Sequence, residues 1–348
     1  MKSLLLPFSW LFRAGVNLRN MAFDHAWLTT RELSCPVISV GNLTVGGTGK
    51  TPMVIYLAEK IQKMGFKPAI LSRGYRRKGK GTIVVSDGRK PPLDYTVSGD
   101  EPILMAKRLP KIPIVVDEVR LRGGTHLVRK FDPDVIILDD GFQHRLLHRD
   151  IDIVLLDATS PFSGGMMLPA GRLREPPKSL YRADLVIFTR STQETPTQKD
   201  LDLIKTKTDA PILKSIHQPM EWVSLDGKRK LPISEPIATN PLLVSGIVRP
   251  DHFESMVRSL GITPAAHLTY PDHHRYGTKE LDQIAGLYRT LKADAILTTE
   301  KDLIKWPPLL KALKVWALRI SMVITEGEEQ LEGLSKNHIM KQSEAKKP

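Results

Sequence analysis

Residues 37–51 read VISVGNLTVGGTGKT and give the strongest indication of the fold class. It joins the β-branched run Val37 to Val40 to a helical pattern from Pro52 to Met64. A glycine-rich loop between a strand and a helix brings backbone N–H groups onto phosphate oxygens. The strict pattern GxxxxGK[ST] fails because position 44 is Thr, so the nearer match is the GGxGKT variant. A glycine-rich turn that only caps the helix is the alternative.

This loop predicts a nucleotide site with ATP and Mg²⁺ as cofactors. In such loops the lysine reaches the terminal phosphates and the following hydroxyl ligates Mg²⁺. We assign these roles to Lys50 and Thr51. The predicted nucleotide-binding residues are Thr44, Val45, Gly46, Gly47, Thr48, Gly49, Lys50 and Thr51.

A second run, DVIILDD at residues 134–140, supplies the acids that a phosphate-binding loop requires. Asp139 and Asp140 end this strand, and ligands of α/β sheets bind at the carboxyl ends of strands. One acid there orients the metal and its water. Adjacent carboxylates repel each other unless a cation or an arginine lies between them. A solvated strand end is the alternative.

Short apolar runs alternate with helical stretches along the chain and predict an α/β fold. Continuous apolar strands are typical of a parallel sheet covered by helices on both faces. The runs after the first one are 69–71, 114–116, 135–138, 153–156, 185–188, 242–244, 295–297 and 315–320. Residues 160–177 are rich in Pro and Gly and predict an irregular functional loop.

Composition excludes several classes of protein. The 348 residues are 41% apolar and 26% charged, which is ordinary globular usage and not that of a fibrous or multi-span membrane protein. The single cysteine, Cys35, excludes an intrachain disulfide and makes a cytosolic location the default. The formal charge of +13 attracts polyanions, and charge alone does not choose among nucleic acid, membrane and phosphorylated substrate.

The N-terminus predicts an amphipathic helix. Leu4, Leu5, Phe8, Leu11, Phe12 and Val16 fall on one face, and Ser9, Arg13, Asn17, Asn20 and Asp24 on another. The apolar run is shorter than the ~20 residues that span a bilayer. A helix in the membrane interface fits the combination of Trp10 with Lys2 and Arg13. A helix packed on the protein's own core and a cleaved signal are the alternatives.

Further motifs follow one another along the chain. With Val45 to Pro52, they are SRGYRRK at 72–78, GDEP at 99–102, DDGFQH at 139–144, LPAGRLREP at 168–176, YPDHH at 270–274 and TTEKD at 298–302. Taken together and in this order, they resemble the tetraacyldisaccharide 4′-kinase family, which phosphorylates the lipid A precursor in Gram-negative bacteria. The resemblance runs from the N-terminal helix to about Ile320.

The resemblance implies an ATP-dependent kinase that phosphorylates the 4′-hydroxyl of a tetraacyldisaccharide 1-phosphate. In that family the aspartate matching Asp100 pairs with the histidine matching His273 to deprotonate the sugar hydroxyl. The implied catalytic residues are Asp100, His273, Asp139, Asp140 and Arg172, and the implied metal ligands are Thr51, Asp139 and Glu101. The implied partners are an acylated disaccharide 1-phosphate lipid and, through the N-terminal helix, the cytoplasmic face of the inner membrane.

Purely structural explanations of the same residues stay open. Ser98 to Glu101 also reads as a capping box, and Asp100 as the N-cap of a helix. If the family resemblance is set aside, His273 reads as an ordinary loop histidine. Residues 300–302 predict a strand-to-helix turn with capping acids. The basic residues Arg73, Arg76, Arg77, Lys78, Arg120 and Arg122 line a groove for a phosphate or an anionic headgroup, or form a solvated face.

We therefore expect a P-loop NTPase-like parallel sheet flanked by helices, with a second, smaller α/β domain and an N-terminal amphipathic helix. The expected segments are the helix at 1–30, the ATP-binding domain at 31–152 completed by about 316–334, the second domain at 153–315 closing a cleft, and a disordered tail at 335–348. We expect a monomer.

The competing function is a switch ATPase of the partitioning or metal-insertion type. Many such proteins carry a lysine just before the two glycines, where this chain has Val45. A nucleic-acid-binding ATPase is disfavoured because basic patches interleaved with aromatic residues are missing. A membrane-binding module without activity leaves the phosphate-binding loop and the two aspartates unexplained.

Overall fold

The computed structural model describes residues 2–89, 94–191, 196–306 and 313–345. The chain divides into two compact units. The first comprises the described residues up to His217 and from Met322 onward, and the second comprises Gln218–Ser321. The helices are α1 (Lys2–Asp24), α2 (Lys50–Lys63), α3 (Tyr95–Ser98), α4 (Asp100–Arg108), α5 (Arg120–Phe131), α6 (Gln198–Lys205), α7 (Pro250–Ser259), α8 (Thr278–Thr290), α9 (Glu300–Leu303) and α10 (Glu328–Ala345).

The strands confirm every apolar run that the sequence predicts. They are β1 (Val37–Asn42), β2 (Pro68–Ser72), β3 (Ile83–Asp87), β4 (Pro113–Val116), β5 (Val135–Asp139), β6 (Ile151–Asp157), β7 (Leu185–Thr189), β8 (Ile212–Ser224), β9 (Lys230–Pro232), β10 (Leu242–Ser245), β11 (Ala266–Thr269), β12 (Ile296–Thr299) and β13 (Val315–Glu326). The sequence analysis missed β3, β8, β9 and β11, whose partly exposed residues give no continuous apolar run.

The first unit is built on a mostly parallel sheet with β1 at its centre. Its strands follow the order β8-β7-β6-β1-β5-β2-β4-β3, and the β3–β4 pair is antiparallel. Ile38 of β1 aligns with Ile137 of β5 on one side and with Ile151 of β6 on the other. All six residues of β1 are buried, as expected for a strand covered by helices on both faces. The predicted α/β class is confirmed.

The second unit has its own parallel strands and two apolar layers. β10 pairs in parallel with β11 and β12, and β12 pairs in parallel with the first part of β13. Leu243 and Leu297 belong to one core cluster, whereas Leu242 and Ile296 belong to another. Because neighbouring side chains of a strand point to opposite faces, these two clusters cover the two sides of the strands.

The division between the units differs from the expected boundary near residue 152. β6 aligns with β1 and β7 aligns with β6, so both strands extend the first sheet, and the chain leaves the first unit only within β8. An apolar run predicts a buried strand but does not show which sheet the strand joins, so the sequence predicts an earlier boundary than the division between the two units. The expected return of the chain to the first unit occurs within β13, between Ser321 and Met322.

Both ends of the described chain are helical. α1 confirms the predicted N-terminal helix. The segment 335–348, expected to be disordered, is instead helical as far as Ala345, and residues 346–348 lie outside the described part. Leu331, Ser335 and Ile339 are buried at helical spacing on α10, a sparse stripe in an otherwise polar segment. None of the helices in the described part is both long and apolar enough to cross a bilayer.

Candidate active site

The loop between β1 and α2 is shaped by glycines in the left-handed region. Gly46 has φ 121° and Gly49 has φ 86°. Gly49 is the N-cap of α2 and supplies no side-chain cap, so the amides of the first helical turn are left for another acceptor. A Cβ atom on Gly49 would lie 2.8 Å from Nε2 of His217. Both the backbone angle and the space therefore require glycine at position 49.

Polar side chains hold this loop on its inner side. The Asn42 side-chain amide donates to Oγ1 of Thr48 at 2.8 Å. Nζ of Lys50 donates to Oδ1 of Asn42 at 3.4 Å and lies 3.4 Å from Oδ1 of Asp140. Lys50 and Thr51 are the first two residues of α2, at the end of the helix that carries partial positive charge. The structure therefore places both predicted residues where a phosphate is expected.

The two adjacent aspartates have different surroundings. Asp139 ends β5 and is buried, and one of its carboxylate oxygens accepts from Oγ of Ser72 at 2.8 Å. The other, Oδ1, is buried and has no hydrogen-bond partner in the described part of the chain. Burial, with the neighbouring charges of Glu101 and Asp140, raises the pKa of Asp139 well above its usual range.

Asp140 behaves in the opposite way. Burial acts to raise its pKa, but Lys50 and Arg174 outweigh this effect and lower the pKa to about 2. Nη1 of Arg174 lies 2.9 Å from both carboxylate oxygens. The expectation that cations must compensate the two carboxylates is therefore met at Asp140.

The irregular segment 160–176 lies along the phosphate-binding loop. Thr44 and Leu173 form an antiparallel bridge. The amide of Val45 donates to the carbonyl of Arg172 at 2.8 Å, and Nε of Arg172 donates to the carbonyl of Val45 at 3.1 Å. The structure thus brings Arg172 to the loop that carries Lys50, as the predicted site requires.

Asp100 and Glu101 begin α4, but they do not cap it in the way that the sequence suggests. The N-cap is Gly99, with φ 98°, and it makes no side-chain cap. Oγ of Ser98 donates to the carbonyl of Asp94 at 3.0 Å, so the Ser98–Glu101 capping box does not form. Asp100 is buried, and its Oδ1 accepts from the amide of Glu101 at 3.1 Å. Glu101 is close enough to Asp139 to raise the pKa of that residue.

His273 belongs to the second unit, in the connection between β11 and α8, with φ 61°. Its Nε2 lies 3.4 Å from Oδ2 of Asp272 and 3.3 Å from Nζ of Lys301. The imidazole is therefore held between an acid and a base. Asp100 belongs to the first unit, and its pairing with His273 stays a prediction.

The TTEKD motif is structural at its ends. Thr299 is the N-cap of α9 and accepts from the amide of Asp302 at 3.1 Å. Asp302 is fully buried and forms an ion pair with Lys305 at 2.9 Å. The predicted strand-to-helix turn is confirmed, but the hydroxyl of Thr299 caps the helix in place of the expected acids.

Arg190 and Asp157 are site residues that the sequence analysis missed. Nη1 of Arg190 lies 2.7 Å from Oδ2 of Asp157, and Nη2 donates to the carbonyl of Gly47 in the phosphate-binding loop. Asp157 ends β6, and Arg190 directly follows β7. The sequence did offer a signal for both residues. Each is a charged residue at the carboxyl end of an apolar strand, at the edge of the sheet that also carries Asp139.

A group of basic side chains surrounds His144. Burial, together with nearby Arg120 and Arg149, lowers the pKa of His144 to about 4. Arg120 is itself buried, and burial with the charge of Arg73 lowers its pKa to about 10. Arg77 and Arg122, by contrast, form ion pairs with Glu118. The predicted basic set therefore divides into residues that face the acidic strand end and residues bound to other acids.

The residues predicted to hold Mg²⁺ have suitable chemistry. Among the described residues no group of three His, Cys, Asp or Glu side chains forms a metal site of its own. Mg²⁺ is usually bound by one or two carboxylates together with substrate phosphates and water. Thr51, Asp139 and Glu101 offer oxygen atoms only, and the unpartnered buried Oδ1 of Asp139 fits a cation ligand. The donor set therefore fits Mg²⁺.

Comparison with known proteins assigns the chain to a family. The family model of tetraacyldisaccharide-1-P 4'-kinase matches residues 1–338. The tetraacyldisaccharide 4'-kinase of Syntrophus aciditrophicus is 43% identical over 92% of this chain and 88% of its own, and that of Geobacter metallireducens is 39% identical over 90% and 91%.

A solved structure agrees with these relatives. The crystal structure of LpxK from Aquifex aeolicus in complex with ATP is 36% identical, covers 97% of this chain and 98% of its own, and superposes with a TM-score of 0.77. The sequence motifs, the phosphate-binding loop and these matches agree over nearly the whole chain. The chain therefore belongs to the tetraacyldisaccharide-1-P 4'-kinase family.

Proposed function

We propose that the chain transfers the γ-phosphate of ATP to the 4′-hydroxyl of a tetraacyldisaccharide 1-phosphate, a step of lipid A biosynthesis, and that the site described above carries out the reaction. The observation that carries the proposal is the placement of Lys50, Asp140, Arg174 and Arg172 around one phosphate-binding loop. Family membership decides against a switch ATPase, which shares the loop but has no lipid acceptor.

The phosphate-binding loop holds the nucleotide. The free amides at the start of α2 and the ammonium of Lys50 bind the phosphates, and Arg172 lies beside them to stabilise charge on the transferring group. Thr51, Asp139 and Glu101 would hold Mg²⁺, which when bound neutralises charge that develops on the phosphoryl oxygens. Asp140 is held by Lys50 and Arg174, and this ion-pair network fixes the lysine beside the loop.

Asp100 removes the proton of the acceptor hydroxyl. A sugar hydroxyl is a poor nucleophile, so a positioned base contributes about 10²–10⁴-fold to the rate. Asp100 is a buried carboxylate at the first position of α4 and is not the N-cap, which weakens the purely structural explanation. His273, between Asp272 and Lys301, is the partner that the family resemblance assigns to this base.

The basic side chains around His144 bind the phosphate that the acceptor already carries. Arg120 is buried and lies near Arg73 and the two aspartates, and its Nε has no hydrogen-bond partner in the described part of the chain. A guanidinium with a free donor is suited to an anionic oxygen. Arg77 and Arg122 are disfavoured for this role because both form ion pairs with Glu118, and Arg122 forms a second one with Asp117 at 2.8 Å.

A transfer assay tests the activity. The purified chain is incubated with γ-labelled ATP, Mg²⁺, detergent and tetraacyldisaccharide 1-phosphate, and label is measured in the organic phase. We expect label in the lipid, and none when the lipid is omitted. Release of labelled inorganic phosphate with no label in the lipid would instead indicate an ATPase and reject the kinase.

The exposed face of α1 supports attachment to a membrane surface. Leu4, Trp10 and Leu11 are 76%, 68% and 70% exposed, whereas Ser9 and Asn20 on the opposite face are buried. The helix therefore turns its polar face inward and its apolar face outward, which is the reverse of a helix packed on a core. Apolar and aromatic side chains flanked by basic residues are typical of interfacial helices. We assign this face to the cytoplasmic surface of the inner membrane, to which the chain attaches as a monomer.

Leu11→Ser should weaken membrane binding. Burial of a leucine side chain contributes about 1.5–3 kcal/mol, so its loss should lower the partition coefficient by about 10- to 100-fold. The measurement is co-sedimentation with phosphatidylethanolamine–phosphatidylglycerol vesicles. Leu203→Ser is the matched control, because Leu203 is an exposed leucine on α6. Equal binding of the two variants would count against α1 as the membrane contact.

A further inference from the structure

The inner face of α1 makes specific contacts with the segment that carries the arginines of the site. Ser9, Val16, Asn20 and Phe23 recur at helical spacing on this face. Val16, which the sequence pattern groups with Leu4 and Leu11, instead lies on the inner face and packs against the core cluster that contains Met167 and Leu173. Apolar packing alone would position the helix only loosely, because this stripe contains few apolar side chains. Polar contacts therefore decide how the helix and the segment fit together.

Ser9 contacts two backbone groups of residues 166–175, which we call the arginine loop. Its Oγ donates to the carbonyl of Met167 at 3.1 Å and accepts from the amide of Ala170 at 3.0 Å. Ser9 is 5% exposed. The hydroxyl thus satisfies the amide of Ala170 and gives the carbonyl of Met167 a second donor beside the amide of Gly171, which lies at 2.8 Å.

Asn20 contacts the other end of the arginine loop. Its amide donates to Oε2 of Glu175 at 2.8 Å, and the same oxygen accepts from Arg182 at 2.9 Å. Glu175 is 1% exposed, so its charge depends on these donors. Glu175 directly follows Arg174, the residue bound to Asp140.

We call the contacts of Ser9 and Asn20 the two anchors of the arginine loop. Between them, the loop contacts the phosphate-binding loop. Arg172 and Val45 exchange backbone and side-chain hydrogen bonds, and the amide of Arg174 donates to the carbonyl of Leu43 at 2.7 Å. A shift at either anchor would therefore move Arg172 and Arg174 relative to Lys50. Misplacement of a catalytic group by about 1 Å can cost 10²-fold in rate.

We infer that Ser9 and Asn20 are positioning residues for phosphate transfer, because they fix the arginine loop against α1 and so place Arg172 and Arg174 at the phosphate-binding loop. The inference rests on the proposed function. It gives the inner face of α1 a role in the chemistry that is separate from the role of the outer face in membrane attachment.

An isosteric pair at position 9 tests the first anchor. Ser9→Thr keeps the hydroxyl, whereas the valine of Ser9→Val has the shape of threonine but no hydroxyl. We expect Ser9→Thr to keep the kcat of the wild type within about twofold, and Ser9→Val to lower kcat by about 10- to 100-fold with unchanged binding to vesicles. Equal kcat of the two variants would overturn the role of Ser9.

A pair of asparagines on the same helix tests the second anchor. Asn20→Ala removes the donor to Glu175 and should lower kcat by about tenfold or more. Asn17→Ala is the control, because Oδ1 of Asn17 is buried without a hydrogen-bond partner in the described part of the chain. Its kcat should match that of the wild type. An equal loss in both variants would show a general effect of the helix and overturn the specific role of Asn20.

Limited proteolysis gives a readout that does not depend on activity. Trypsin cleaves after Arg172 and Arg174, and release of the arginine loop should speed cleavage there by about tenfold in Ser9→Val and Asn20→Ala. Unchanged cleavage in both variants would overturn the inference, even if kcat falls. If instead the wild type transfers no phosphate to lipid, the proposed function fails, while the cleavage rates still decide whether α1 holds the loop.

Discussion

Lys50→Ala should leave the chain folded and lower kcat for phosphate transfer to the lipid by about 10²- to 10³-fold. Lys50 is the cation at the start of α2 whose Nζ lies 3.4 Å from Asp140, beside the helical amides to which we assign phosphate binding. Its removal takes one positive charge from the place where charge develops during transfer. The fold should survive because Asp140 keeps its contact with Arg174 at 2.9 Å. The measurement is steady-state transfer of labelled phosphate, with thermal unfolding of the same preparation.

Lys63→Ala is the matched control for this result. Lys63 is an exposed lysine in the last turn of the same helix, at the end of α2 opposite to the phosphate-binding loop. We expect its kcat and its KM for ATP to equal those of the wild type. Full activity of Lys50→Ala, or an equal loss in both lysine variants, would remove the loop from the mechanism.

Asp100→Asn should lower kcat by about 10²–10⁴-fold and leave KM for ATP nearly unchanged. The carboxamide has the shape of the carboxylate but cannot accept the proton of the acceptor hydroxyl. It can still accept from the amide of Glu101, the contact that Asp100 makes at 3.1 Å. The melting temperature should therefore change little, which separates a catalytic role from a helix-stabilising one.

The partner of Asp100 is tested by a second substitution. If Asp100 and His273 act as one unit, His273→Gln should also lower kcat, and the double variant should lose little more than Asp100→Asn alone. Purely additive losses would indicate that the two residues act independently. An Asp100→Asn variant with the kcat of the wild type and a lowered melting temperature would return Asp100 to a structural role.

The local parts of the site were predictable because each is encoded by residues next to one another. Gly46, Gly49 and Lys50 adopt the backbone and the helix position that GGxGKT implies, and Asp139 ends a buried strand as its sequence predicts. The chemistry of these residues depends on short-range geometry. A pattern in the sequence is sufficient to place them.

Contacts between distant segments were not predictable in the same way. Arg190 reaches the carbonyl of Gly47 because β7 lies next to β6 and β6 next to β1, and strand order is not written in any single strand. The same limit explains why the boundary expected near residue 152 differs from the division between the two units. The pattern of α1 showed two faces, but only the buried contacts of Ser9 and Asn20 reveal that the polar face is turned inward.

The position of α10 at the end of the chain affects the order in which the protein folds during its synthesis. α10 contacts the helix that follows the phosphate-binding loop, since Lys60 of α2 lies 2.7 Å from Glu328 and 2.6 Å from Glu332. The second unit is continuous in sequence and is synthesised before these residues. Domains generally fold as units during synthesis. The first unit, although its synthesis begins first, is therefore the last to be completed, and a nascent chain that stops before Met322 lacks the helix that completes it.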